Sequence, residues 1–241
     1  MNKIFHLILN LVEYFYKKKL IKKIKKYLPT KIKIFFDIGA HKGETTIDFS
    51  KNFLIEEAYL FEPLKKNFDT LKDKLNYKNR IKNIHIFNFA LGDKNEKIFI
   101  NEALESSSST INEINTSSRY FKRKEKIIKF FNKNAKVSKS QIVVKKAKDF
   151  ILEQNISSID FIKLDTEGYE FIILNDLGSF IKNVKLILFE HHYDLMIRKK
   201  YKFNDLHNLL FNNNFEQVYK SKMYFRKSFE YIYLNKNYKF D

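Results

Sequence analysis

The chain has 241 residues, no cysteine and a formal net charge of +18. A chain of this length can bury roughly 70–75% of the surface its unfolded form exposes, so it needs no covalent staple, and the absence of cysteine excludes disulfides and thiolate metal sites. The charge points either to an anionic partner or to the Lys- and Asn-rich composition that an AT-rich gene writes. It is uneven: residues 1–33 carry ten lysines against one acid, Glu13, and residues 119–148 carry twelve basic residues against one acid, Glu125.

Ile4, Leu7, Ile8, Leu11 and Phe15 fall at helical spacing, followed by Lys17-Lys18-Lys19 and Lys22-Lys23. This predicts a basic amphipathic helical extension over residues 1–30. Such a helix can lie on an anionic membrane, or pack on its own domain, or on a second copy in a homo-oligomer. The apolar stretch Ile4 to Tyr16 is interrupted by His6, Asn10 and Glu13 and is too short to cross ~30 Å of hydrocarbon. It has no small-residue cleavage site of the signal-peptide kind. The expected location is the cytoplasm, or the inner face of the membrane.

The main domain is expected over 31–241. Residues 32–38 read as a buried strand stopped by Gly39, 43–51 as a helix, 57–61 as a strand stopped by Glu62-Pro63, and 64–76 as an amphipathic helix with Leu64, Phe68, Leu71 and Leu75 on one face. Residues 84–90 read as a third strand ending at Leu91-Gly92-Asp93. This β-α-β-α-β succession is the signature of a parallel sheet. A short strand at 97–101 precedes a polar and basic insertion over 105–140. A segment of that length is either a substrate lid or a weakly ordered insert. Strands at 141–146, 159–164 and 184–190 alternate with helices at 148–154 and about 168–175. A helix near 204–212 and strands near 215–221 and 229–235 follow.

Ligands of an open parallel sheet sit outside the carboxyl ends of its strands. Here those ends carry Asp37-Ile38-Gly39-Ala40, Glu62-Pro63, Asn88 to Asp93, Asp165 to Gly168 and Glu190 to His192. The first loop has only Gly39 and Gly43, four apart, not the denser Gly-x-Gly-x-x-Gly that a pyrophosphate needs. Asp37 just before the turn would repel phosphate and attract an ammonium group. Glu62, at the end of the second strand, can accept from both hydroxyls of a ribose. A ribose-bearing ligand with a cationic end fits, and S-adenosylmethionine is one. Lys163 and Asp165 share a strand face, so Asp165 is the obvious partner of the lysine. Glu167 reads either as a catalytic carboxylate or as a dipole-favoured residue opening the next helix.

Five segments, Phe36-Asp37-Ile38-Gly39-Ala40-His41-Lys42-Gly43, Phe61-Glu62-Pro63, Asn88-Phe89-Ala90-Leu91-Gly92-Asp93, Ile162 to Glu170, and Phe189-Glu190-His191, resemble the FkbM-type methyltransferases in order and spacing. The resemblance covers roughly residues 32–195, and Lys163-x-Asp165-x-Glu167-Gly168-x-Glu170 is its most specific part. It implies a class I, Rossmann-like α/β fold: a mostly parallel seven-stranded sheet with helices on both faces. It also implies S-adenosylmethionine as cofactor and methyl transfer to oxygen, often on sugars of glycolipids, polysaccharides or natural products. The methionine end would lie near Asp37 and Gly39, with Ala40, His41, Gly43 and Thr45 in the same loop and helix. The ribose would sit on Glu62 beside Pro63, and the adenine near Asn88, Ala90 and Leu91. Ser109 and Thr110 stand where the family often has a serine-rich segment. The basic insert and the basic N-terminal helix depart from the pattern and leave the acceptor open.

A hydroxyl acceptor must lose one proton as the methyl group arrives. Two designs fit the strand ends. His191 or His192 can act as general base, or Asp165 with Glu190 or a histidine can hold Mg²⁺ or Mn²⁺ and lower the hydroxyl's pKa. Two rival functions stay open. A nucleic-acid-binding protein or RNA methyltransferase could use the basic stretches, where Tyr120, Phe121, Phe130 and Phe131 interleave with lysines. A nicotinamide oxidoreductase is opposed by the glycine pattern and by Asp37.

Overall fold

The computed structural model describes residues 15–75, 80–104, 108–131, 133, 136–223 and 227–238. Its spine is a seven-stranded sheet. β1 (Lys31–Ile38), β2 (Leu54–Phe61) and β3 (Ile81–Phe87) lie to one side of β8 (Ile159–Leu164), and β9 (Val184–His192), β12 (Ser228–Asn235) and β11 (Phe215–Lys222) to the other, in the order β11-β12-β9-β8-β1-β2-β3. β1 pairs in parallel with β2 and β8, β2 with β3, and β8 with β9. β12 runs antiparallel to both β9 and β11. The fold is therefore α/β with a mostly parallel but mixed sheet. All six residues of β8 are buried, as expected of a central parallel strand covered on both faces, and two of them, Asp160 and Lys163, are charged.

Alternation along the strands sends residues to two separate cores. Phe36, Ile162 and Ile187 pack with Phe150 and Ile151 of α5 (Ala147–Glu153), Ile173 and Leu174 of α6 (Glu170–Asp176), and Leu206 and Leu210 of α7 (Phe203–Asn212). Phe35, Phe161 and Leu186 pack on the other face, with Phe49 of α2 (Glu44–Ser50) and Leu71 and Leu75 of α3 (Lys65–Leu75). The helix that enters the described chain, α1 (residues 15–24), joins this second core: Leu20 and Ile24 are buried there, with Leu28 just beyond it. Each such side chain contributes about 1.5–3 kcal/mol on burial, so the described part of the N-terminal segment is anchored to its own sheet. Ile4, Leu7, Ile8 and Leu11 lie outside the described residues. Among the described residues no helix is long and apolar enough to cross a membrane.

The expected third strand differs in register. β3 ends at Phe87, Asn88 and Phe89 form a bend, and Ala90–Gly92 is β4 of a second sheet, ordered β4-β7-β5 with β5 (Glu96–Glu102) and β7 (Ser138–Lys146). The apolar run of 84–90 concealed the break because both flanks are buried or half-buried. The insertion is ordered where it meets the domain. β6 (Glu113–Ile114) pairs with β10 (Ile197–Arg198), and α4 (Arg119–Phe131) tucks Phe121 against Ile114, Met196 and Ile197.

Candidate active site

A cavity of about 430 Å³ lies across the ends of β1, β2, β8, β9 and β12, within the size range of small-molecule sites. The turn after β1 forms its floor. Gly39 has φ +80°, and a Cβ there would sit 2.0 Å from the backbone oxygen of Asp165, so only glycine fits. The Asp165 N–H donates to the Ile38 oxygen at 3.0 Å, and the N–H groups of Gly39 and Ala40 both donate to the Phe61 oxygen. Three strand ends are thus tied by main chain alone. Ala40, His41 and Thr45 line the cavity. Gly43 does not: with φ +82° it precedes α2 and lies against Leu71 of α3.

Asp37 stands beneath this turn, not in the cavity. It is fully buried, accepts the Thr46 hydroxyl at 2.6 Å, and pairs with the Lys163 ammonium at 3.0 Å. A direct contact between Asp37 and a ligand's ammonium is therefore not available. Lys163 also donates to the Gly39 oxygen at 2.9 Å and stands 3.8 Å from Asp165, so its principal partner is Asp37 rather than Asp165. Burial disfavours the ammonium, but the carboxylates of Asp37 and Asp165 outweigh it and raise the pKa of Lys163. The lysine stays charged and fastens Asp37 to the cofactor-loop backbone.

Glu62 forms one wall, buried and preset. Its carboxylate accepts the N–H of His41 at 2.9 Å and of Leu64 at 2.9 Å, with Asn67 at 3.4 Å. Burial pushes its pKa up to about 7, against the lowering effect of these donors. The hydroxyls of a bound ribose would add donors and favour the ionised form. Pro63, Ala90 and Leu91 line the same side. Asn88 serves differently from expectation: its amide donates to the oxygens of Glu62 at 3.0 Å and Pro63 at 2.9 Å, and it holds their turn from behind.

Asp165, Glu167, Glu190 and Glu230 occupy the opposite wall. Glu167, with φ +51°, precedes α6 in a turn. The donors ahead of α6 are instead gathered by Glu170, which accepts the N–H groups of Thr166 and Gly168, both at 3.1 Å. The insertion holds this turn in place: the Thr110 hydroxyl donates to the Glu167 oxygen at 2.7 Å and the Asn112 amide to the Gly168 oxygen at 2.8 Å. Ser109 beside them lines the cavity.

Neither histidine lines the cavity. His192 is buried with Nε2 at 2.9 Å from Glu167 and 3.1 Å from Glu190, and Nδ1 at 3.5 Å from Asp194. Burial opposes its charge, but Glu167, Asp194 and Glu190 outweigh it and raise its pKa well above the usual value. It is an imidazolium, already carrying the proton a general base would have to accept. His191, one residue earlier on the strand, points to the other face. There it meets the rings of Tyr193, Tyr201 and Phe203, and Lys199 donates to its Nε2 at 3.0 Å. Burial and the charges of Lys199 and His192 lower its pKa to about 3.

The proposed metal ligands do not form a set either. His192 is committed to carboxylates and His191 faces away. Among the described residues no group of three or more His, Asp or Glu is arranged to hold a metal ion.

Several lining residues went unanticipated. Lys17, Leu20 and Ile21 of α1 form part of the wall, as do Glu44 and Asp48 of α2 and Glu230 of β12. Glu230 had a readable signal, a lone acid in the aromatic strand Ser228 to Asn235, of the same kind that marked Lys163. Taken together, acids outnumber bases around the cavity: Glu44, Asp48 and Glu62 on one side and Asp165, Glu167, Glu190 and Glu230 on the other face Lys17 and Lys163. In a chain of net charge +18, this concentration of carboxyl groups sets the cavity apart from the rest of the molecule.

The model of the methyltransferase FkbM domain matches residues 37–217. Among curated proteins, none matches the chain by sequence. Solved structures share the fold at low identity. Magnesium protoporphyrin IX methyltransferase from Synechocystis PCC 6803, with bound SAM, aligns at a TM-score of 0.52 and 10% identity, covering 94% of this chain and 81% of that one. A putative tRNA (m1A22) methyltransferase from Streptococcus pneumoniae, in complex with S-adenosyl-L-methionine, aligns at 0.50 and 11% identity, covering 92% and 75%. The M. capricolum TrmK structure with S-adenosyl-homocysteine aligns at 0.50 and 11%, covering 90% and 67%.

Proposed function

The chain belongs to the FkbM methyltransferase family, and from that premise we propose that it methylates a hydroxyl oxygen of a carbohydrate, in a glycan, a glycolipid or a natural product. It is an S-adenosylmethionine-dependent methyltransferase. Glu62 would hold the ribose, the turn from Gly39 to His41 the methionine end, and Ala90 and Leu91 the adenine. The bound cofactor supplies an electrophilic methyl carbon on a positively charged sulfur.

The observation that carries the acceptor reading is the acidic wall of Asp165, Glu167, Glu190 and Glu230. Carboxylates offer acceptors only, and a sugar presents adjacent hydroxyls as donors to match. The same wall repels a phosphate backbone, which argues against RNA in spite of the overall charge. Asp165, partly exposed at the end of β8, is placed to orient the incoming hydroxyl.

Incubation with radiolabelled S-adenosylmethionine and fractionated cell extract tests the reading. Label is expected in the carbohydrate-bearing fraction, and label confined to RNA or protein would overturn it. Asp165→Ala is expected to bind the cofactor but lose transfer to that fraction, and full turnover would remove Asp165 from the site's chemistry.

A further inference from the structure

Glu190 and Glu230 are register partners on the antiparallel strands β9 and β12, and both line the cavity. Like charges directly opposite each other across a strand pair are unfavourable, and more so where water is scarce. The two carboxyls are not equivalent. Glu190 stands 3.1 Å from Nε2 of His192, which joins it to Glu167. Glu230 instead has Tyr16 of α1 beside it.

We propose that Glu230 holds a proton while the cofactor site is empty, loses it to solvent when the cationic cofactor arrives, and then serves as the catalytic base that takes the proton of the acceptor hydroxyl. The inference rests on the family assignment and cofactor above. It replaces the histidines, which the geometry removes from the cavity, by a carboxyl that the cavity contains.

The charged and titratable groups that face Glu230 set its behaviour. They are Glu190 on β9, Asp165 and Lys163 on β8, and Tyr16 on α1. Burial and the Glu190 charge push its pKa up to about 8, while the Tyr16 hydroxyl and Lys163 pull the other way. With the ribose on Glu62 and the adenine beyond it at Ala90 and Leu91, the remaining end of the cofactor extends across β1 toward β8, β9 and β12. A positive charge there favours the ionised carboxylate. In the transfer itself the acceptor's O–H bond gives its proton to a Glu230 oxygen while its oxygen bonds the methyl carbon, and the carbon–sulfur pair returns to sulfur. The sulfur ends as a neutral thioether, and the proton stays on Glu230 until the next cationic cofactor sends it to solvent.

Calorimetric titration of the full chain with S-adenosylmethionine, and separately with S-adenosylhomocysteine, needs no acceptor. Runs at pH 7.5 in buffers of different ionisation enthalpy report the protons released. The two ligands share ribose, adenine and methionine carboxylate, so any release from Glu62 is common to both, and only the sulfonium charge differs. The methylated ligand is expected to release roughly half a proton or more per site beyond the demethylated one. Glu230→Gln, which keeps the shape of the protonated acid, is expected to bind both ligands and abolish that difference. Tyr16→Phe removes a hydroxyl that favours the carboxylate and is expected to move the release to higher pH. Equal release by the two ligands, or a difference that persists in Glu230→Gln, overturns the proposal. Failure of both ligands to bind wild-type protein would instead overturn the cofactor assignment, and this inference with it.

Discussion

The two walls of the cavity are held in different ways. The Glu62 wall is fastened to nearby main chain: its carboxylate accepts the backbone N–H groups of His41 and Leu64, and the Asn88 amide donates to the oxygens of its turn. The opposite wall is fastened by side chains drawn from distant parts of the chain. Lys163 reaches Asp37, His192 joins Glu167 to Glu190, and Thr110 and Asn112 of the insertion hold the Glu167 turn. A wall held by main chain tolerates the loss of one side chain with its shape intact. A wall held by coupled buried charges fails as a unit, because each removal strands a neighbour.

That contrast makes predictions of graded size. Lys163→Met strands the fully buried Asp37 and is expected to cost about 3–5 kcal/mol in denaturant unfolding; a loss near zero would show that the two walls are equally robust. Gly39→Ala forces a Cβ against the Asp165 oxygen at positive φ. It is expected to cost about 2 kcal/mol or more and to weaken cofactor binding, since it disturbs the seam common to both walls. Glu62→Ala removes ligand contacts from the sturdier wall. Its unfolding midpoint should stay near wild type while calorimetry shows cofactor affinity lower by about 10- to 100-fold; collapse of the fold would put Glu62 in the same class as Lys163. Smallest of all is His191→Phe, which replaces a ring on the far face among Tyr193, Tyr201 and Phe203. Cofactor affinity should be unchanged and stability within about 1.5 kcal/mol of wild type, and a lost affinity would return His191 to the site.

A pH scan compares the walls directly. Glu62 and Glu230 are both raised, to about 7 and about 8. Groups raised above their unfolded value contribute stability that is full below that value, near 4.5, and lost as pH rises through the folded one. The thermal midpoint of the cofactor-free protein should therefore fall as pH rises from about 4.5 to about 8 and level off above that. Glu230→Gln should flatten the upper part of that fall, and an unchanged slope would mean the carboxyl is not held neutral.

The same contrast explains what the sequence made legible. The β-α-β order, the strand ends and Glu62 could be read because each is announced within a few residues: an apolar run, a glycine, an acid at its end. Asp37 was visible but its direction was not, since only the β1–β8 register places Lys163 beside it. The roles of His191 and His192 turned on which face of β9 each occupies and which carboxylates surround it. Those carboxylates arrive from a turn before α6 and from the strand itself. Glu230 stood out locally as a lone acid in an aromatic strand, but its place at the cavity needed the antiparallel pairing of β12. The break after β3 was hidden because Asn88 and Phe89 interrupt a strand pattern without any proline or glycine.

The helix that opens the described chain and the strand pair that closes it meet over one cavity, Leu20 and Ile21 on one side and Met223 and Glu230 on the other. During synthesis the cofactor loop and Glu62 emerge early, but Tyr16 of α1 must wait for β12 before it has Glu230 beside it. A chain that lacks the last strand pair has the cofactor loop and Glu62 but not Glu230, so the two walls of the cavity are completed at different points of synthesis.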